Sequence, residues 1–137
     1  MNKERMNKEQ LLKLLETIKI DKEEFTILSS SSLVLRDIYD TAGDLDIAVT
    51  KNGLRQLKQN YNLIEKGNGW YIITDKIECV LDNMENKKIK VGKYYLQDIN
   101  NYLDYLNSSK REKDKLRIPI VKEYIKERNN NQKGDYK

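Results

Sequence analysis

Two carboxylates stand two residues apart in Gly43-Asp44-Leu45-Asp46-Ile47-Ala48-Val49-Thr50. Leu45, Ile47 and Val49 alternate with Asp44, Asp46 and Ala48. That period predicts a β-strand with one apolar face and one face that opens with two aspartates. Carboxylates this close repel each other, and both stay charged only in solvent or around a divalent cation. Metal-assisted chemistry is therefore expected at this stretch. The bare Asp-x-Asp pattern is weak in a chain with 22 acidic residues, and alone it reads as a solvated edge strand. Its surroundings sharpen the reading.

Upstream, Ile27-Leu28 leads into four hydroxyls, Ser29 to Ser32, and then into the apolar run Leu33-Val34-Leu35. This predicts a strand over 24–28 feeding a helix that one of the serines caps. A helix start of this kind offers backbone N–H groups and the positive end of a dipole, which suits phosphate, although an ordinary serine-rich cap looks the same. Downstream, Ile77, Cys79 and Leu81 form one face of a second strand, with Glu78, Val80 and Asp82 on the other. Between the two, Thr50 to Gly53 opens a short helix with Leu54 and Leu57 inward. Tyr61–Glu65 and Trp70–Thr74 are strands joined by Lys66-Gly67-Asn68-Gly69, a strong hairpin signal.

The combination resembles the nucleotidyltransferase superfamily, in its minimal and abortive-infection-toxin-like branches, over roughly residues 24–118. That family has a Gly-Ser pair opening a helix, paired aspartates on a strand about a dozen residues on, and a third carboxylate on a neighbouring strand. Ser29-Ser30 falls on the Gly-Ser pair, Asp44 and Asp46 on the paired aspartates, and Glu78 on the third carboxylate, with Asp82 in reserve. Lys110-Arg111-Glu112-Lys113-Asp114 looks like a basic segment ending in aspartate that is seen in some members. The chain departs from the family at Ser29, where a glycine is usual.

The resemblance implies a catalytic and metal set of Asp44, Asp46 and Glu78 holding Mg²⁺ or Mn²⁺, and a nucleotide set of Ser29, Ser30, Arg36 and Lys113. It also implies the reaction: an acceptor hydroxyl attacks the α-phosphate of an NTP in line, an NMP is transferred and pyrophosphate leaves. Glu78 completes the metal site or acts as general base. Lys113 or Arg111 offsets charge. The acceptor is an RNA end such as that of tRNA, a protein hydroxyl, or a small molecule. A competing reading keeps the fold and drops the catalysis, giving a binding protein such as half of a toxin–antitoxin pair or a phage-defence component. The Cβ of Ser29 favours that reading, because it would obstruct close phosphate approach.

Composition narrows the chemistry. The chain has 137 residues, no histidine and one cysteine. This excludes His-based zinc sites, Ser-His and Cys-His catalysis, and an internal disulfide. Cys79 reads as a small buried hydrophobe. A reducing cytoplasmic setting is the simplest home, with no membrane span and no signal-peptide core expected. Residues 110–137 hold 10 basic and 5 acidic side chains, so the net charge of +4 is a property of the C-terminus. A third reading, a basic nucleic-acid-binding protein, rests on that excess.

The expected fold is α/β (α+β): a small mixed sheet of about five strands flanked by helices. Residues 1–128 are expected to form one domain, with its core at about 24–95 and C-terminal helices over 97–128. Met1–Gln10 is expected to fray ahead of a helix carrying Leu11, Leu14, Leu15 and Ile18. Asn83–Lys88 is read as a turn and Ile89–Tyr94 as the last strand. A helix follows from about Gln97, and another from near Lys110 that Pro119 should kink or split. Residues 129–137 are read as a polar, disordered tail. Its end, Gly134 to Lys137, reads as the start of an epitope tag and is set aside.

Overall fold

The computed structural model describes residues 5–82 and 88–135, with side chains described as far as Asn129. The expected turn at Asn83–Lys88 therefore falls almost wholly outside the described residues, as do the side chains of the Gly134–Lys137 ending. The fold is mixed α and β, as expected, and the chain divides into two compact units, Met1–Gln97 and Asp98–Lys137.

The first unit is a seven-stranded mixed sheet with helices. Its elements are α1 (Lys8–Thr17), β1 (Phe25–Ile27), α2 (Ser29–Leu35), β2 (Leu45–Val49), α3 (Lys51–Asn60), β3 (Ile64–Gly67), β4 (Trp70–Ile72), β5 (Ile77–Leu81), β6 (Lys88–Val91) and β7 (Tyr94–Gln97). The strand order is β3-β4-β5-β2-β1-β7-β6. The aspartate-bearing strand β2 is thus the middle strand of the sheet, with β1 antiparallel on one side and β5 parallel on the other. It is not the solvated edge that the bare motif describes.

Strand register sorts the side chains. Ile27 stands beside Ile47, Ile47 beside Cys79, and Ile27 beside Leu96. These residues therefore share one face and are buried in one core with Leu45, Val49, Ile77 and Tyr94. Leu11 and Leu15 of α1, Val34 and Leu35 of α2, and Leu54 and Leu57 of α3 join the same cluster. The period of two thus sends Asp46, Ala48 and Glu78 to the opposite face.

Local chemistry explains the elements. Residues 6–10 do not fray as expected. Asn7 and Gln10 form a reciprocal capping box, each side chain accepting the other's backbone N–H at 2.9 Å. Met6 is buried and bridges to Ala42. Thr50 caps α3, its hydroxyl accepting from the Gly53 N–H at 2.9 Å. Gly53 itself is forced by close approach: a Cβ there would lie 2.8 Å from the Glu24 carbonyl oxygen. The expected single strand over Ile89–Tyr94 is instead a hairpin, β6 and β7, with Val91 facing Tyr94 across the two-residue turn Gly92-Lys93. Gly92 has φ +62°, which a two-residue hairpin turn needs at its first position.

The second unit is a helix pair, α4 (Ile99–Ser108) and α5 (Glu112–Asp135). The Asp98 carboxylate caps α4, accepting from the N–H groups of Asn100 and Asn101 at 3.1 Å. Ile99, Tyr102, Leu106 and Val121 are buried. Pro119 lies inside α5, which is not split there and runs on to Asp135. A proline costs one backbone hydrogen bond, here the one to the Lys115 carbonyl. The rest of a 24-residue helix can absorb that loss.

Candidate active site

The site is built on β2 and β5. Asp46 stands directly beside Glu78 in a parallel register that runs unbroken from Leu45–Ile77 to Val49–Leu81. Adjacent strands lie about 4.8 Å apart, so the two side chains leave the sheet as neighbours. Asp44 stands one residue ahead of β2, and the same alternation carried back two positions from Asp46 puts it on that side. All three are half-buried. Asp82 is four residues beyond Glu78, roughly 13 Å along the strand, so Glu78 and not Asp82 is the residue beside Asp46.

The serine segment positions β2 rather than capping a helix with its hydroxyls. Ser31 Oγ donates to the Asp44 carbonyl at 2.6 Å, and the Leu28 N–H donates to the Asp46 carbonyl at 2.9 Å. Ser32 Oγ donates to the Ser29 carbonyl at 2.7 Å. The N-cap of α2 is Leu28, with no side-chain cap, which corrects the expectation of a serine cap. The reason lies in Ser29, whose φ is +54°. This left-handed conformation is glycine's natural territory and is costly for a residue with a Cβ. The backbone at Ser29 therefore takes the shape that a glycine would take, and its N–H donates to Gln97 Oε1 at 3.2 Å. Ser29→Gly should stabilise the protein by up to about 1 kcal/mol through relief of this strain. A melting curve checks it, and a lower midpoint would show that the serine side chain contributes more than the strain costs.

The other expected nucleotide residues are placed as follows. Ser30 is half-buried in the first turn of α2. Arg36, also half-buried, donates from Nη2 to the Gln97 carbonyl at 2.6 Å. Lys113 is an exposed residue of α5 in the second unit. Its neighbour Arg111 is committed to a local network. Asp114 is fully buried, accepts from Arg111 Nε at 2.8 Å and Nη2 at 3.1 Å, and accepts from Ser109 Oγ at 2.6 Å. Arg117 lies 3.5 Å away on the same carboxylate. The Arg111 guanidinium, followed by the Ser109 hydroxyl, holds Asp114 below its ordinary carboxylate range against the opposing effect of burial. The basic segment ending in aspartate is thus a structural knot.

Lys66 is the residue that sequence reasoning missed. Its ammonium meets Glu78 Oε1 at 2.5 Å. The hydrogen bond and charge of Glu78 hold Lys66 above its ordinary value, and Asp46 and Asp44 add to the effect. No local pattern marks a lysine beside a hairpin turn as one that reaches the third strand of the sheet. Cys79 faces the core, and burial pushes its thiol up to about 11, so it is an inert packing group.

Among the described residues, no three Asp, Glu or Cys side chains converge as a ready metal cage. The donor set nevertheless suits a hard cation, because it is all carboxylate oxygen on one sheet face. In the structure the Lys66 ammonium supplies positive charge at that face. A cleft of about 350 Å³ lined by Arg5, Gln10, Lys13, Thr17 and Lys76 among others contains none of the three carboxylates. No helix among the described residues is long and apolar enough to cross a membrane. No protein-family model matches the chain, and no curated protein matches it.

Proposed function

We propose that the chain is a metal-dependent nucleotidyltransferase that moves an NMP from an NTP to an acceptor hydroxyl. The observation that carries this reading is the register of β2 with β5, which sets Asp46 beside Glu78 on the face shared with Asp44. Asp44 and Asp46 would hold Mg²⁺ or Mn²⁺, with Glu78 as third ligand or as the base that takes the acceptor's proton. When bound, the metal offsets the charge of the triphosphate and assists in-line attack on the α-phosphorus, with pyrophosphate as leaving group. Ser30 and the first-turn N–H groups of α2 would contact phosphate oxygens, and the left-handed backbone at Ser29 supports a glycine-like turn there. Cytoplasmic residence and an RNA, protein or small-molecule acceptor are parts of the same proposal.

A second reading, a catalytically degraded binding protein such as a toxin–antitoxin component, is favoured by the Lys66–Glu78 ion pair, which already neutralises one carboxylate. The two separate in one experiment. The protein is incubated with each α-labelled NTP, with Mg²⁺ or Mn²⁺, and with total cellular RNA and protein. Transfer of label to an acceptor is the expected outcome. Absence of transfer with all four nucleotides and both metals would overturn the enzymatic reading.

A further inference from the structure

We propose that Lys66 is a phosphate-binding residue held in reserve: its ammonium rests on Glu78 until a divalent cation displaces it, and then contacts the triphosphate. This rests on the reading of the carboxylate face as a metal–nucleotide site.

Three observations lead there. First, Lys66 lies where the β3–β4 ladder slips. Ile64 faces Ile72 and Glu65 faces Tyr71, but Gly67 faces Trp70, so Lys66 is the extra residue of a bulge. Bulges take a residue out of the ladder and re-aim its side chain. Second, that side chain crosses β4 to reach β5, two strand spacings or roughly 10 Å away, and ends 2.5 Å from Glu78. The contact is on the face of Asp46, Glu78's register partner. Third, the two partners are unequally placed. The Glu78 side chain is 18% exposed and that of Lys66 53%. The carboxylate is fixed on an inner strand, while the lysine sits on an edge strand with a long flexible stem.

The consequences follow from charge. A divalent ion binding at this face must compete with the Lys66 ammonium for Glu78. Once displaced, the ammonium stands next to new positive charge and leaves it for the nearest anion. A nucleotide's phosphates are that anion. Metal and phosphate binding thereby become coupled through a single side chain.

The test reads two affinities in wild type and Lys66→Met, with Lys66→Gln as a second variant: Mn²⁺ alone, and the Mn²⁺ complex of inorganic tripolyphosphate, both by titration calorimetry. The expected result has opposite signs. Mn²⁺ should bind the variants about tenfold tighter, and the tripolyphosphate complex about tenfold weaker. Tighter Mn²⁺ with unchanged tripolyphosphate overturns the proposal, since Lys66 is then only a competitor. Unchanged values for both ligands also overturn it and make the contact an ordinary surface ion pair, while leaving the metal site standing. If wild type and variants all fail to bind Mn²⁺, the proposal and the metal–nucleotide reading fall together.

Discussion

Asp46→Asn should reduce nucleotidyl transfer by at least about a hundredfold while leaving the fold intact. The substitution keeps the shape of the side chain and removes one of the charges facing the metal. Loss of a group that merely supports a metal ligand costs about 10- to 100-fold, so loss of a ligand should cost no less than the upper figure. In chelator the same variant should melt above wild type. Asp46 and Glu78 are register neighbours with Asp44 close by, and removing one negative charge relieves the repulsion among them. If Asp46 serves instead to hold backbone or to pair with a lysine, the variant melts at or below wild type and loses no specific activity. Transfer assays and melting curves in chelator, on the same preparations, separate these outcomes.

The second large effect is expected far from the carboxylate face in sequence. Asp114→Asn should destabilise the protein by roughly 3 kcal/mol, the low end for breaking a buried ion pair. The low end applies because the Arg111 side chain is 54% exposed and can recover water when its partner is lost. Asp114 also gives a pH signature. Its folded value is depressed below the ordinary 3.8, so its contribution is present above that value and is lost as pH falls through the lower folded one. Wild type should therefore lose stability on acidification below about pH 4, and Asp114→Asn should lose less over the same range. Thermal unfolding followed by circular dichroism at neutral and acid pH measures both. Equal acid sensitivity in the two proteins would assign the effect to other carboxylates.

Legibility in the sequence followed local pattern. The alternation around Asp44 and Asp46 marked β2. The Gly67-Asn68-Gly69 turn marked the β3–β4 hairpin, where all three residues do take positive φ. The alternation of Ile77, Cys79 and Leu81 put Glu78 on the face it occupies. What escaped notice had no local pattern or carried a misleading one. A capping box is made of polar residues, so Asn7 and Gln10 looked like a fraying end. The turn at Gly92-Lys93 interrupts a run of strand-forming residues with only one glycine, so two strands looked like one. Four serines before an apolar run looked like a cap, but the left-handed Ser29 moves the N-cap to Leu28 and turns the hydroxyls of Ser31 and Ser32 toward carbonyls. Nothing in the run of lysines and arginines around Asp114 marked it as buried. Its burial depends on Arg111 and Ser109 folding back around it. Lys66 is the extreme case, because its meaning depends on a bulge and on a residue twelve positions away.

The most direct test of the carboxylate face as a metal site is a thermal-shift series on wild type and Asp46→Asn, each in chelator and in rising millimolar Mn²⁺ or Mg²⁺. A cation that binds only the folded state raises the melting temperature in proportion to the logarithm of its concentration above Kd. The account predicts a rise for wild type and a much smaller one for Asp46→Asn. Equal responses of the two proteins, or no response in either, would contradict it.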